Sequence, residues 1–315
     1  MQRFLGVRLL LRSIAVSVLA IGSLSNGVAA PQGSPWGPEY FPNITLTDQD
    51  GQKLKFYDDL LKDKIVAINF IFTHCGDSCP SETANLRKVQ KLLANRMGKD
   101  IFFYSISIDP EHDTPAVLKE YAEKFKITSD SGWKFLTASK EDTVQLRRTF
   151  GLFREGYEEK NLSEHSTSIM MGNEATGQWF KRSPYDEPKV LAWLIGRTLS
   201  SFKAYQAGKT AETVSYAEAG KVRKISKGEE LFHSRCDGCH SLGAEDSIGP
   251  GLLNVTKVRD PAWLRKWLKT PEVMLAEKDP IVMSLFEKYN KVIMPSFKFS
   301  DKDVEELIKY MQASD

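Results

Sequence analysis

The sequence predicts an α/β domain built around a central sheet, followed by a smaller domain built of helices alone. From about residue 41 to residue 201, short apolar runs alternate with amphipathic helical patterns, which is typical of strands joined by crossover helices. From Ser226 onward the helical patterns continue, without a convincing strand. The chain has 315 residues, of which 41% are hydrophobic, and this is enough for two separate cores.

The first thirty residues predict an export signal. Arg3, Arg8 and Arg12 precede an apolar run that ends in small residues at Ala30. We expect cleavage after Ala30 and a periplasmic location. The alternative is an uncleaved anchor in the inner membrane, although the apolar run is short for a span of about 20 residues.

Charge excludes one class of partner. The export signal holds three of the 43 basic residues and none of the 41 acidic ones, so the rest of the chain is close to neutral. A near-neutral chain argues against binding to nucleic acid.

The α/β domain is predicted over residues 31–202. Its strands are short runs rich in β-branched and aromatic residues, and its helices have apolar residues three or four positions apart. Because strands that alternate with helices are joined by crossovers, we expect a mainly parallel sheet with helices packed against it. The predicted strands are 65–72, 101–108 and short runs near Phe135, Met170 and Trp179, and the predicted helices begin at Pro80 and Pro115 and cover 141–150 and 187–201.

A linker is predicted over residues 203–224, which are rich in Ala, Gly, Thr and Lys and poor in large apolar side chains. The helical domain follows at 225–315. Ser226 and Ser300 each precede an acidic residue by three positions, which is the spacing of a capping box at a helix start.

The motif "CDGCH" at 236–240 is the most specific in the chain. Thiols at Cys236 and Cys239 can form thioethers with the vinyl groups of haem, and His240 is then close enough to bind the iron. The alternative is a disulfide or half of a zinc site, but this domain has no second C-x-x-C to complete four zinc ligands. The motif therefore predicts covalently attached haem c.

The second axial ligand of that haem is predicted to be Met294, in "IMPSF". A thioether favours electron transfer, and Pro295 would stiffen the loop that carries it. Met274 and Met283 are competing candidates, and a methionine in this type of domain is by default a core residue.

A second pair, Cys75 and Cys79, lies in "FTHCGDSCP" between a predicted strand and a predicted helix. Since a helix N-terminus stabilises a thiolate, we expect Cys79 to have a lowered pKa and to be reactive. Side chains four apart on a helix have Cβ atoms roughly 5 to 6 Å apart, whereas a disulfide needs about 3.8 Å. This spacing modestly favours a metal, and a redox disulfide or an inert disulfide remains an alternative.

Three histidines are candidates for a third ligand. His74 is adjacent to Cys75 and would point the opposite way along an extended chain. His112 lies in a turn before a helix, where a solvated side chain is the default. His165 precedes a strand and could project from a sheet-edge loop, but spacing alone does not decide among the three.

Residues 226–315 resemble a class I cytochrome c. The matching features are "CDGCH", "IGPGL" at 248–252, "IMPSF" and the closing amphipathic helix. The resemblance implies single-electron transfer. It also implies that a backbone carbonyl near Gly249 and Pro250 accepts the second ring N–H of His240, which would fix the ring.

Residues from about 41 to 201 resemble the Sco/SenC family of thioredoxin-like, copper-binding proteins. The matching stretches are "FTHCGDSCP", "YSISIDPEHDTPAVLKEYAEKF", "SEHS" and "GNEATGQW". The resemblance implies an α/β thioredoxin-like domain followed by an all-α cytochrome c domain. It also implies that Cys75, Cys79 and His165 bind copper, and that Asp109 and Pro110 lie beside the site.

The sequence departs from the family pattern at two positions. Gly76 stands where many members have proline, and Glu164 stands where many have aspartate. Because glycine loosens the loop, Gly76 could widen the range between disulfide and metal-bound states.

Two functions follow as expectations. The first is a copper metallochaperone with an electron-transfer haem, whose partners are the apo copper-site subunit of a respiratory cytochrome c oxidase and a redox partner for the haem. The second is a haem-linked thiol-disulfide oxidoreductase in which Cys75 and Cys79 are the catalytic redox pair. Peroxide reduction at an open haem is a weaker third, because Met294 should fill the sixth position.

Overall fold

A computed structural model of the chain describes residues 36–76, 78–156, 161–162, 165–200 and 224–315. The predicted export signal, most of the predicted linker and Glu164 lie outside the described residues. Within the described ranges, no helix combines the length and the apolar character needed to cross a bilayer.

The α/β domain is built on one seven-stranded sheet with the order β2-β1-β5-β4-β3-β6-β7. All five predicted strands are present, whereas β1 and β2 were not predicted. The central strand β3 is buried along its whole length, which explains why its sequence is a continuous apolar run. The strands are β1 Thr45–Asp48, β2 Lys53–Lys55, β3 Ile65–Ile71, β4 Ile101–Ser107, β5 Trp133–Thr137, β6 Ile169–Asn173 and β7 Gln178–Arg182.

The prediction of a mainly parallel sheet is wrong. Only the β3–β4 and β4–β5 pairs are parallel, and the other pairs are antiparallel. Two of the antiparallel pairs, β1–β2 and β6–β7, are joined by connections that are too short for a crossover helix and must form hairpins. Gly51 and Gly177 adopt φ of 82° and 68° in these turns, a region that favours glycine.

Helices pack around the sheet, and α2 begins at the predicted cap. The Thr114 hydroxyl accepts a hydrogen bond from the Val117 N–H at 3.4 Å, and Pro115 occupies the first helical position. Two π-helical segments, Phe56–Leu61 and Leu194–Thr198, follow β2 and α4. The helices are α1 Cys79–Leu92, α2 Pro115–Lys124, α3 Lys140–Thr149 and α4 Pro188–Trp193.

Residues 224–315 contain helices and no strand, which confirms the predicted all-α domain. A separate core forms where the first and last helices of this domain pack together, and the capping box at Ser300 and Asp303 is complete. Gly228 allows this approach, because a Cβ there would lie 2.0 Å from the carbonyl oxygen of Glu306. The helices are α5 Lys227–Leu231, α6 Val255–Val258, α7 Pro261–Lys269, α8 Pro271–Ala276, α9 Pro280–Lys288 and α10 Asp301–Ser314.

Candidate metal and haem sites

The first cysteine pair lies where β3 ends and α1 begins. Cys75 follows β3 and is 4% exposed, and Cys79 is the first residue of α1 and is fully buried. The side chain of Cys75 interacts with the Cys79 thiol and contributes to its raised pKa. No disulfide joins any of the four cysteines, all of which lie in the described part of the chain.

The prediction that the start of α1 lowers the pKa of Cys79 is wrong. Burial raises the pKa of this thiol well above its usual value, and the hydrogen bond to Cys75 and the charge of Glu82 raise it further. The free-energy cost of removing a thiolate from water is larger here than the stabilisation that the helix N-terminus provides. Cys79 is therefore held as a thiol until a metal ion or an oxidant displaces its proton.

Glu82 is a buried acid beside the thiols that the sequence analysis missed. It lies on α1, it is fully buried, and burial followed by the charge of Cys75 raises its pKa to about 8. Its position in the sequence could have predicted this, because Glu82 is three residues after Cys79 and so lies on the same face of the helix.

His165 lies in a buried position, 4% exposed, and its ring packs against Phe72 with centroids 5.6 Å apart. Nδ1 lies 2.8 Å from the carbonyl oxygen of Leu162, and Nε2 lies 3.2 Å from that of Phe70. Burial lowers the pKa of His165, so the ring is neutral and carries one proton. When Nδ1 carries that proton and donates it to Leu162, Nε2 has the lone pair that a metal ion needs.

Phe72 connects the histidine to the thiols. Its ring contacts His165, and its backbone forms a hydrogen bond with Cys79. The ligand atoms of Cys75, Cys79 and His165 are not all within 4.8 Å of one another. Among the described residues, the group whose ligand atoms do lie that close consists of His74, Asp109 and His112. Two thiols and a neutral imidazole nevertheless form a donor set that suits copper.

The second cysteine pair lines a cavity of about 810 Å³, a volume that includes space open to solvent. Cys236, Cys239, His240 and Met294 all line it. Nδ1 of His240 donates to the carbonyl oxygen of Pro250 at 2.8 Å, as the resemblance implied, and burial lowers the pKa of this imidazole. Nε2 therefore keeps a lone pair, and the chemistry of these residues fits covalently bound haem.

Met294 lines the same cavity as His240. Both residues line the large cavity and also a second cavity of about 730 Å³. Met274 and Met283 line neither, although Met311 lines the second one. The structure therefore supports Met294 over the two competing candidates that the sequence offered.

The wall of this cavity includes a residue of the α/β domain. Ser81, two residues after Cys79 on α1, lines the cavity together with Cys236 and Cys239. A Cβ on Gly238 would lie 3.4 Å from the Cβ of Ala84 and 3.6 Å from the carbonyl oxygen of Ser81. The "CDGCH" motif thus packs directly on the N-terminal half of α1.

Polar contacts surround this interface. Lys88 Nζ lies 2.6 Å from Asp237 Oδ1, and Lys126 Nζ donates to the carbonyl oxygen of Ser247 at 3.2 Å. The guanidinium of Arg235 lies 4.5 Å from the ring centroid of Tyr185. The Tyr185 hydroxyl donates in turn to the carbonyl oxygen of Ser78 at 3.4 Å, directly before Cys79. A chain of contacts thus joins the haem motif to the first cysteine pair.

Comparison with known proteins identifies both domains. The SCO1/SenC family model matches residues 36–193, and the cytochrome c family model matches residues 225–315. A SCO1 protein homolog of Bacillus subtilis is 34% identical over 102 residues, which cover 32% of this chain and 51% of that protein. The chain therefore spans about half the length of this curated relative.

Solved structures of similar proteins cover the α/β domain. Bradyrhizobium japonicum ScoI with copper bound is 24% identical, with a TM-score of 0.41, covering 49% of this chain and 96% of that one. BsSco, described as a member of the Sco family of cytochrome c oxidase assembly proteins with a disulfide switch, is 25% identical, with a TM-score of 0.42, covering 50% and 91%. From the family models, the chain belongs to the SCO1/SenC family and carries a cytochrome c domain at residues 225–315.

Proposed function

We propose that this protein is an exported copper metallochaperone with an attached electron-transfer haem, which assists copper-site assembly in a respiratory cytochrome c oxidase. Family membership supports the copper role. Its partners would be the apo copper-site subunit of the oxidase and a redox partner for the haem, in the periplasm or at the inner membrane.

Copper is the cargo, and Cys75, Cys79 and His165 would hold it. Both cysteines are buried at the start of α1, and the imidazole of His165 would complete a set of one nitrogen and two sulfurs. Such a set suits an ion that alternates between the monovalent and divalent states. Binding would require His165 to exchange its contact with Phe70 for the ion, and the thiols to release their protons.

The observation that carries the link between the two sites is the position of Ser81. This residue lines the haem cavity, and it lies two residues, about 3 Å of helix rise, from Cys79. When bound at Cys236, Cys239, His240 and Met294, haem supplies one-electron transfer. Electrons would then have a short path between the two sites along the start of α1.

A second candidate is a haem-linked thiol-disulfide oxidoreductase. The interaction between the side chain of Cys75 and the Cys79 thiol favours it. Oxidation of this pair to a disulfide releases two electrons and two protons, so one haem must act twice per cycle. Copper needs a single electron to change state, and this match favours the chaperone.

Anaerobic loading with copper(I) tests the first candidate. We expect full-length, haem-loaded protein to retain stoichiometric copper after gel filtration, measured by mass spectrometry of the metal. His165→Ala should lower retention at least about tenfold, since a ligand is lost. The matched control is His233→Ala, because His233 is a half-exposed histidine of the cytochrome domain.

Two outcomes would contradict the chaperone. One is equal copper retention in wild type and His165→Ala, which would remove His165 from the site. The other is the absence of copper from both forms together with thiol redox activity that His165→Ala leaves unchanged, which would favour the oxidoreductase.

A further inference from the structure

Three potential metal ligands outside the cysteine pair meet at one edge of the sheet. His74 follows β3, whereas Asp109 and His112 follow β4. The two strands are parallel neighbours, with Ile71 paired to Ser107 at their carboxyl ends. Loops that leave the same edge of adjacent parallel strands must lie close together, so the topology itself assembles these three side chains.

The distances suit a metal ion. The ligand atoms of His74, Asp109 and His112 all lie within 4.8 Å of one another, and Nδ1 of His74 lies 3.7 Å from Oδ2 of Asp109. Bonds of about 2.0 to 2.2 Å would bring neighbouring ligand atoms to roughly 3 to 3.5 Å. The side chains of His74 and His112 are 49% and 53% exposed, so they have room for this small movement.

A buried carboxylate supports one of the imidazoles. Asp113 is fully buried and accepts hydrogen bonds from the hydroxyls of Thr73 and Ser107, each at 2.6 Å. It lies 3.0 Å from Nδ1 of His112. With the proton on Nδ1, Nε2 of His112 keeps a lone pair, and a carboxylate behind a histidine in this way is the usual support of a metal ligand.

We propose that His74, Asp109 and His112 form a second metal site, which takes a divalent transition-metal ion. Two imidazoles and one carboxylate suit ions of borderline softness, and Cu²⁺ is bound most tightly in the first-row series. The cluster contains no sulfur, so it would favour Cu²⁺ over Cu⁺ and over magnesium or calcium. The chain would then hold two ions in neighbouring loops, one on nitrogen and oxygen and one mainly on sulfur.

A variant without the first thiol pair isolates this site. In full-length, haem-loaded protein carrying Cys75→Ser and Cys79→Ser, we expect Cu²⁺ titration by calorimetry to show a saturable site. Electron paramagnetic resonance should show nitrogen ligands to the ion. Adding His112→Ala should weaken Cu²⁺ binding at least about tenfold. His112 is exposed on the surface, so this change leaves the core intact.

The control is His233→Ala in the same background, which should leave the affinity unchanged. Equal Cu²⁺ affinity with and without His112 would overturn the second site, as would an equal loss in the His233→Ala control. Failure of the chaperone proposal has a different signature, because it concerns Cu⁺ in protein that retains both thiols. The two experiments therefore test the two proposals independently.

Discussion

The two cysteine pairs of this chain have the same side-chain chemistry but lie in different surroundings. Burial raises the pKa of Cys236 and Cys239 to about 12, and it also raises the pKa of Cys79 well above its usual value. A raised pKa therefore does not distinguish Cys79 from Cys236 and Cys239. They differ in what lies around them: Cys75 and Cys79 are enclosed in the core of the α/β domain, whereas Cys236 and Cys239 line an open cavity.

This difference separates two uses of a thiol pair. Sulfurs that line a large apolar cavity can reach a bulky ligand such as haem. Sulfurs buried against each other can reach only a small partner, which is an ion or the neighbouring sulfur. The shape of the space beside the sulfurs, together with the neighbouring His240 or Glu82, thus sets the chemistry that each pair can perform.

Replacing cysteine by serine in each pair should give the largest difference between the two pairs. Cys236→Ser with Cys239→Ser should abolish covalent haem, because serine oxygen does not form the thioether. Cys75→Ser with Cys79→Ser should leave haem attachment unchanged. Haem staining after denaturing electrophoresis measures both. Equal loss in both double variants would show that the pairs are not separate in function.

Glu82→Gln tests the buried surroundings of the first pair. The pKa of Glu82 is raised from 4.5 to about 8, so folding favours its protonated form. This contribution to stability is complete below pH 4.5 and is lost as the pH rises through 8. In the reduced, metal-free protein, Glu82→Gln should therefore be more stable than wild type at pH 8.5 by a few kcal/mol, and the two should be similar at pH 4.5.

Urea unfolding at the two pH values measures this difference. The comparison must be made between variants, because the lowered pKa of His165 makes its own contribution rise with pH. Glu245→Gln is the control, since Glu245 is exposed. Parallel pH profiles for wild type and Glu82→Gln would mean that Glu82 is not a buried acid.

Reversing one charge at the interface should have the smallest effect. Lys88 and Asp237 are each about 30% exposed, and such a pair contributes up to about 1 kcal/mol. Lys88→Glu should therefore slow electron exchange between the thiol site and the haem by about fivefold, followed by flash photolysis at the haem absorbance. Adding Asp237→Lys should restore the rate.

The matched control for that experiment is Lys119→Glu. Lys119 also pairs with an aspartate, Asp50, but this pair lies within the α/β domain. If Lys88→Glu and Lys119→Glu give the same rate as wild type, the docked arrangement does not carry electrons between the sites.

Much of the fold was predictable because local patterns determine it. The apolar runs of β3 and β4, the cap at Thr114 and the capping box at Ser300 depend on residues a few positions apart, and each prediction is confirmed. The parallel sheet was not predictable in the same way. A short hairpin connection, such as that between β6 and β7, makes its two strands antiparallel. The prediction from alternating strands and helices does not include the length of these connections.

The sequence by itself indicated the chemistry that each motif can support: thioether formation at "CDGCH" and metal binding or disulfide chemistry in "FTHCGDSCP". Only the tertiary structure decided the raised pKa of Cys79, the burial of Glu82, the meeting of His74 with His112, and the position of Ser81 in the haem cavity. The physical reason is range. Motif chemistry depends on covalent neighbours, whereas desolvation and contact depend on segments that are distant in the chain and adjacent only after folding.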